Sequence, residues 1–215
     1  MDGQHSDRDS PTDLVAEAIT AVEQLERHGG RAVVERKYGL PSNAISRCGF
    51  VGVLRVETVG DGFLMVEDGG RVLLIIPAFA SAYQTGGLDD LVDLVAIDAK
   101  QPNRWWLRTG RAQVLGEWAL QVKRAEWESI GWRFQRTKDP AYPLRVFRNP
   151  VEWLKGACAG IVVLRPEWTS VLLGGLPVSV GGDDAALGNE LIAACGGIER
   201  PRVLVDVSAG LEAAA

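Results

Sequence analysis

Histidine is nearly missing from this chain: two of its 215 residues are histidines, His5 and His28, and residues 29–215 contain none. A Ser-His-Asp triad, a Cys-His pair or an HExxH zinc site would each have to borrow one of those two. Chemistry in the body of the chain is therefore limited to carboxylates, Lys, Tyr, Cys or a bound metal. Cysteine is scarce as well. Cys48, Cys158 and Cys195 are far apart, odd in number and without a CxxC pair, so they read as small buried hydrophobes in a reducing compartment rather than as a zinc or disulfide framework. No apolar run approaches the length of a membrane helix; the longest, Arg71 to Ala80 and Gly160 to Leu164, have strand length. The polar, acidic start, Met1 to Ser10, lacks the apolar core of a secretory signal or the character of a transit peptide. A soluble, cytoplasmic protein with no membrane partner is expected. Gly174-Gly175 and Gly181-Gly182 fit neither GxGxxG nor GxxxxGK[ST], so no dinucleotide or P-loop cofactor is expected.

What is present suits a folded domain. With 47% hydrophobic and 24% charged residues the chain can bury a substantial core. Residues 1–10 read as a disordered leader. Ser10-Pro11-Thr12-Asp13 is a helix start with a capping box, and Leu14, Ala18, Ala21, Val22 and Leu25 then share one face up to Gly29-Gly30. A second helix over Arg31 to Tyr38 should stop at Gly39, and a third over Ser42 to Arg47 should follow Pro41, making 11–48 a helical segment. Beyond it the period changes. Val51 to Glu57, Phe63 to Val66 and Val72 to Ile76, separated by Gly60-Asp61-Gly62 and Asp68-Gly69-Gly70, predict an antiparallel meander. Leu91 to Ile97 adds a strand, and Ala112 to Trp127 a helix with Leu115, Trp118, Ala119 and Val122 inward.

From Pro143 strands and helices alternate. Strands over Leu144–Phe147, Ile161–Leu164, Val178–Val180 and Val203–Val207 are separated by helices over Pro150–Ala159, Glu167–Leu173 and Asp183–Cys195. That order implies right-handed βαβ crossovers and a small open parallel sheet. The fold class read from the sequence is thus mixed α/β: a helical hairpin, a β-meander, then a βαβ-type sheet, with 49–210 as one domain and 211–215 a frayed tail.

Three features carry chemistry. The first is the stretch from Ala32 to Arg47, in which Gly39 sits at a turn, Leu40 anchors it and Ile45 follows six residues later. It resembles the helix-turn-helix of DNA-binding proteins. The resemblance implies that Ser42, Asn43, Ser46 and Arg47 face DNA and that Arg36 and Lys37 meet phosphates. Glu35 departs from it, standing where such motifs carry a small residue, and Cys48-Gly49 cuts the second helix short. An ordinary helical hairpin leading into the first strand fits the same residues.

The second feature is a charge asymmetry. The whole chain carries −5, yet residues 100–148 hold eleven Lys or Arg against four Asp or Glu, together with five of the seven tryptophans. Arg104-Trp105-Trp106-Leu107-Arg108 with Lys123-Arg124 would make a basic, aromatic surface on which phosphates bind and unpaired bases stack. Trp118, at helical spacing from Leu115 and Val122, reads equally as core. The third is a set of acids at strand ends: Asp98, Asp183, Asp184 and Asp206. Gathered at the carboxyl edge of a sheet they could hold Mg²⁺ for phosphoryl transfer or nuclease chemistry, whereas Asp183 alone is an ordinary helix cap.

Leu91-Val-Asp-Leu-Val-Ala-Ile-Asp98, Arg104-Trp-Trp-Leu-Arg-Thr-Gly110, Leu115-Gly116 and Pro143-Leu-Arg-Val-Phe-Arg-Asn-Pro-Val-Glu-Trp-Leu154 resemble uncharacterised proteins encoded in phage and prophage replication regions, over about residues 49 to 170. The resemblance implies a nucleic-acid-related role beside replication proteins and implies no catalytic residue. The expectation is a non-enzymatic accessory protein of a mobile genetic element that contacts single- or double-stranded DNA. A carboxylate-metal enzyme and a structural or protein-binding domain are the alternatives.

Overall fold

The computed structural model describes residues 11–80, 87–130, 143–181, 184–196 and 202–206; the expected leader (1–10) and tail (211–215) lie outside them. The chain divides into two compact units, Met1–Ala112 with Asn149–Cys158, and Gln113–Arg148 with Ala159–Ala215. The N-terminal helices therefore share a unit with the first strands.

In the first unit, helix α1 (Pro11–Arg27) buries Leu14, Ala18, Ala21 and Leu25, the stripe expected from their spacing. Helix α2 (Gly30–Tyr38) stops at Gly39, whose φ of +61° is the left-handed turn that only glycine adopts without strain. Helix α3 (Ala44–Arg47) is a single turn. Five strands follow: β1 (Gly52–Val59), β2 (Gly62–Met65), β3 (Arg71–Phe79), β4 (Leu91–Ile97) and β5 (Trp105–Leu107). They close into a barrel in the order β1-β2-β5-β4-β3, rather than the expected meander. The difference arises at residues 66–70. Val66 N–H donates to the Arg55 carbonyl and the Arg55 guanidinium donates to the Gly69 carbonyl, so this loop passes β1 and lets β3 pair on its far side. The barrel closes where β2 and β5 meet in parallel at Gly62 and Leu107.

The barrel interior holds Leu54, Val56, Phe63, Leu73, Ile75, Leu94, Ala96 and Trp106, packed with Leu14, Ala18 and Ala21 of α1. A Cβ on Gly52 would run into the Ala21 backbone, so a glycine there is what lets α1 lie directly on β1. The alternate residues Leu74, Ile76, Val95 and Ile97 are also buried. Tyr38 explains part of this: its O–H donates to the Ile97 carbonyl (2.9 Å) and its oxygen accepts the Leu74 N–H (3.0 Å), which lays the end of α2 over that outer face. Burial on both faces is why Val72–Phe79 reads as an unbroken apolar run and Leu91–Ile97 as one interrupted only by Asp93. The unit is completed by α5 (Pro150–Lys155), capped by Asn149, whose side chain accepts from Glu152 N–H.

The second unit contains β6 (Val114–Leu115), α4 (Glu117–Ile130), β7 (Leu144–Arg145), β8 (Val162–Val163), a 3₁₀ turn (Pro166–Trp168), α6 (Thr169–Leu173), β9 (Pro177–Gly181), α7 (Ala185–Ala194) and β10 (Arg202–Asp206). Strands β10, β9 and β7 are parallel neighbours in that order, around a core that includes Leu120, Val146, Ile161, Leu173, Val178 and Leu187. The helix expected from Ala112 starts later. Val114–Leu115 pairs with Val162–Val163, and Gly116, at φ +79°, turns the chain against the Gly160 carbonyl. The shifted start puts Leu120 inward and leaves Trp118 49% exposed, the reverse of its expected place.

The cysteine reading is corrected for two of the three. Cys48 and Cys158 are joined as a disulfide with Cα atoms 6.0 Å apart, a pairing across 110 residues that no local spacing signals. Cys195 is free and buried, and burial pushes its thiol pKa up. Among the described residues no helix is long and apolar enough to cross a membrane.

Candidate nucleic-acid interface

The segment that resembles a helix-turn-helix folds as two helices around a left-handed Gly39, with Ile45 fully buried at the expected anchor. Its second helix spans Ala44–Arg47 only, so the residues expected to face DNA sit on one turn and the loop before it. Ser42, Asn43 and Ser46 are exposed, as are Arg36 and Lys37; the Arg47 side chain is outside the described set. Asn43 adopts φ +69°. Ser46 Oγ accepts a bond from Arg31 (3.0 Å). Glu35, the departure from the motif, has a job: its Oε1 accepts the Ile45 N–H at 3.2 Å from a buried position, tying α2 to α3.

The basic, aromatic band does not form as expected, because β5 sorts its residues by strand alternation. Trp106 is 2% exposed, inside the barrel, and so is no open stacking platform. Arg108 is also drawn in. Its Nε lies 2.9 Å from Glu17 Oε2, with both side chains 9% exposed. This neutralised pair lines an open groove of about 390 Å³ with Asp13, Thr20, Leu64 and Met65, which among the described residues offers an anion no free cation. Trp105 is half-buried. Lys123 and Arg124 belong to the second unit and are engaged there: Lys123 pairs with Glu126, and Arg124 donates to the carbonyls of Val171 and Leu172.

A different set of cations does come together, at the end of the barrel where β4 passes into β5. Arg71 and Arg104 each place a guanidinium carbon about 5 Å from the Trp106 ring centre, at 5.2 and 5.1 Å. Arg71 donates to Asp98 Oδ2 (3.1 Å) and to Thr58 Oγ1 (3.2 Å). Asp98 Oδ1 accepts the Lys100 N–H, and the Gln101 carbonyl accepts the Arg104 N–H, so one tight turn presents Lys100 and Arg104 outward. Asn103 is tied to the α5 cap, its Oδ1 accepting from Asn149 Nδ2 at 2.6 Å. Tyr38 brings the end of α2 to the same place, with Lys37 Nζ 5.5 Å from its ring. Of the acids near this end, Asp98 is held by Arg71, and Asp61 stands on the β1–β2 hairpin, where its carbonyl accepts Leu107 N–H. Arg71, Lys100 and Tyr38 were missed as site residues. The signal available was Arg71 at a strand start opposite the Asp98 strand end.

The carboxylate set is not assembled as a metal site among the described residues. Asp98 is occupied by Arg71. Asp184 caps α7 by accepting the Leu187 N–H and is held by Arg148, which also pairs with Glu190. The Arg148 guanidinium, the Leu187 N–H and the Arg148 charge lower the Asp184 pKa against a smaller opposing effect of burial. Asp183 and the side chain of Asp206 are outside the described set. No group of three His, Cys, Asp or Glu among the described residues is placed to hold a metal ion. No protein-family model, curated protein or solved structure proved similar to this chain.

Proposed function

We propose that this chain is a non-enzymatic nucleic-acid-associated accessory protein that holds phosphates at the end of its barrel, through Lys37, Arg71, Lys100 and Arg104. The observation that carries the reading is the convergence of Arg71 and Arg104 on Trp106 above a turn that also presents Lys100. Arg71 and Arg104, from two separate segments, meet at one ring and supply charge that phosphate binding draws on. The barrel assigns no ligand by itself, since small barrels serve many functions. The resemblance to phage replication-region proteins supports placing the protein beside replication partners in a mobile element.

The test is oligonucleotide binding followed by fluorescence anisotropy across a salt series. Affinity should fall steeply with salt, and the exposed-residue variant K100Q/R104Q should bind at least about tenfold more weakly, with a salt slope shallower by about one for each phosphate that is no longer neutralised. Salt-independent binding, or a double variant that binds like the parent, overturns the proposal.

A further inference from the structure

We infer that Arg104, whose guanidinium carbon lies 5.1 Å from the Trp106 ring centre, is a stacking platform for one unpaired base, so that the surface selects single-stranded over duplex nucleic acid. This rests on the phosphate-binding reading above and adds the ligand's class. Trp106 itself is closed to a base, being almost wholly buried. Its Nε1 has no hydrogen-bond partner among the described residues, so packing and the two guanidinium groups position the ring. The surface at this point is therefore a guanidinium backed by an indole.

The two arginines differ. Arg71 spends its donors on Asp98 and Thr58 and is fixed by them. Arg104 is exposed, and among the described residues its guanidinium meets no carboxylate; its contact is the Trp106 ring. Its backbone is fixed by the Gln101 carbonyl, and the preceding Asn103 by Asn149. A guanidinium is planar, delocalised and weakly hydrated, and one already held against an aromatic ring gives up little freedom when a second ring stacks on it. Unpaired bases use such planes, whereas a duplex keeps its base faces inside and meets only the charge. Lys100, two residues past Asp98, is placed to meet the adjoining phosphate as a point charge.

Arg104→Lys separates the two contributions, because lysine keeps the charge and loses the plane. Binding is measured for three labelled probes of equal length: oligothymidylate, an abasic strand with the same phosphates, and a duplex. The parent protein should bind oligothymidylate about tenfold more tightly than the abasic strand, the order expected for one base stack. R104K should bind both single strands equally while keeping the parent's salt slope, with circular dichroism showing it folded. Equal binding of the thymidylate and abasic strands by the parent, tighter duplex binding, or an undiminished base preference in R104K overturns this inference alone. Failure of all three probes to bind at low salt overturns the phosphate-binding reading with it.

Discussion

Arg108 and Glu17 form a buried ion pair, Nε to Oε2 at 2.9 Å, that joins the end of the fifth strand to the first helix. Both side chains are 9% exposed, with only an edge reaching the groove, so removing one partner strands the other's charge. Arg108→Ala should therefore destabilise the protein by about 3 to 5 kcal/mol in urea denaturation, whereas E17M/R108M should recover most of that loss by replacing the pair with apolar volume. A single variant as stable as the parent would mean that the pair is not buried. With the expected loss of stability, any weakening of oligonucleotide binding by R108A would follow its unfolding rather than the removal of a phosphate-binding cation.

Asp93 is a second buried anion, fully enclosed and, among the described residues, with no cation beside it. Its Oδ1 accepts the N–H groups of Leu94 (2.9 Å) and Thr109 (2.8 Å), and its Oδ2 those of Arg111 (2.8 Å) and Ala112 (3.1 Å). These bonds hold the turn that leads out of the fifth strand. Asp93→Ala removes the acceptor of all four groups, leaves the buried Leu94 and Ala112 N–H groups without it, and should lower stability by about 3 kcal/mol. Hydrogen exchange at Thr109, Arg111 and Ala112 should accelerate together; unchanged protection there would contradict the assignment.

The sequence made the strands legible where burial leaves a strong trace, as in Val72 to Ile76 and Leu91 to Ile97, and the first two helices through Pro11, Gly29-Gly30 and Gly39. It could not show closure of the barrel, which depends on one three-residue strand and a single parallel contact at Gly62. Had Trp105–Leu107 been read as a strand, two-residue alternation would have put Trp106 and Arg108 on one side, opposite Trp105 and Leu107. Summing charge along the chain grouped Arg104 with Arg108, which the fold separates into an exposed cation and a buried one. Asp98 was found at its strand end, but its occupancy by Arg71, 27 residues earlier, is a tertiary fact with no local signature.

Tyr38 makes stability depend on pH at the alkaline end. Burial pushes its pKa from 10.0 up to about 12, against the Leu74 N–H bond, which favours the phenolate, and with some help from the Asp98 charge. A raised acid favours the folded state while the phenol is neutral. The contribution is thus complete below pH 10, erodes as the unfolded chain ionises first, and is gone above about pH 12. At 1.36 kcal/mol per pKa unit the loss is about 2 to 3 kcal/mol. Urea denaturation at pH 9 and pH 12 should show the parent losing about 2 kcal/mol more than Tyr38→Phe, which has no phenol to ionise. Equal losses would remove Tyr38 as the source.

The Cys48–Cys158 disulfide fastens the residue after the third helix to the segment following Pro150–Lys155, within one unit that the chain leaves and re-enters. A cross-link over 110 residues removes much of the unfolded chain's freedom, about 5 kcal/mol for loops of this size in the chain-entropy model. Both cysteines are half-buried rather than sealed, so a small thiol reductant has access to the bond. Dithiothreitol should lower the denaturation midpoint of the parent and leave that of C48S/C158S where it already lies. Each arm excludes a different alternative: a parent insensitive to reductant would mean that the bond contributes nothing to the fold, and a double variant still responding to it would mean a disulfide between two molecules through Cys195, its one remaining cysteine.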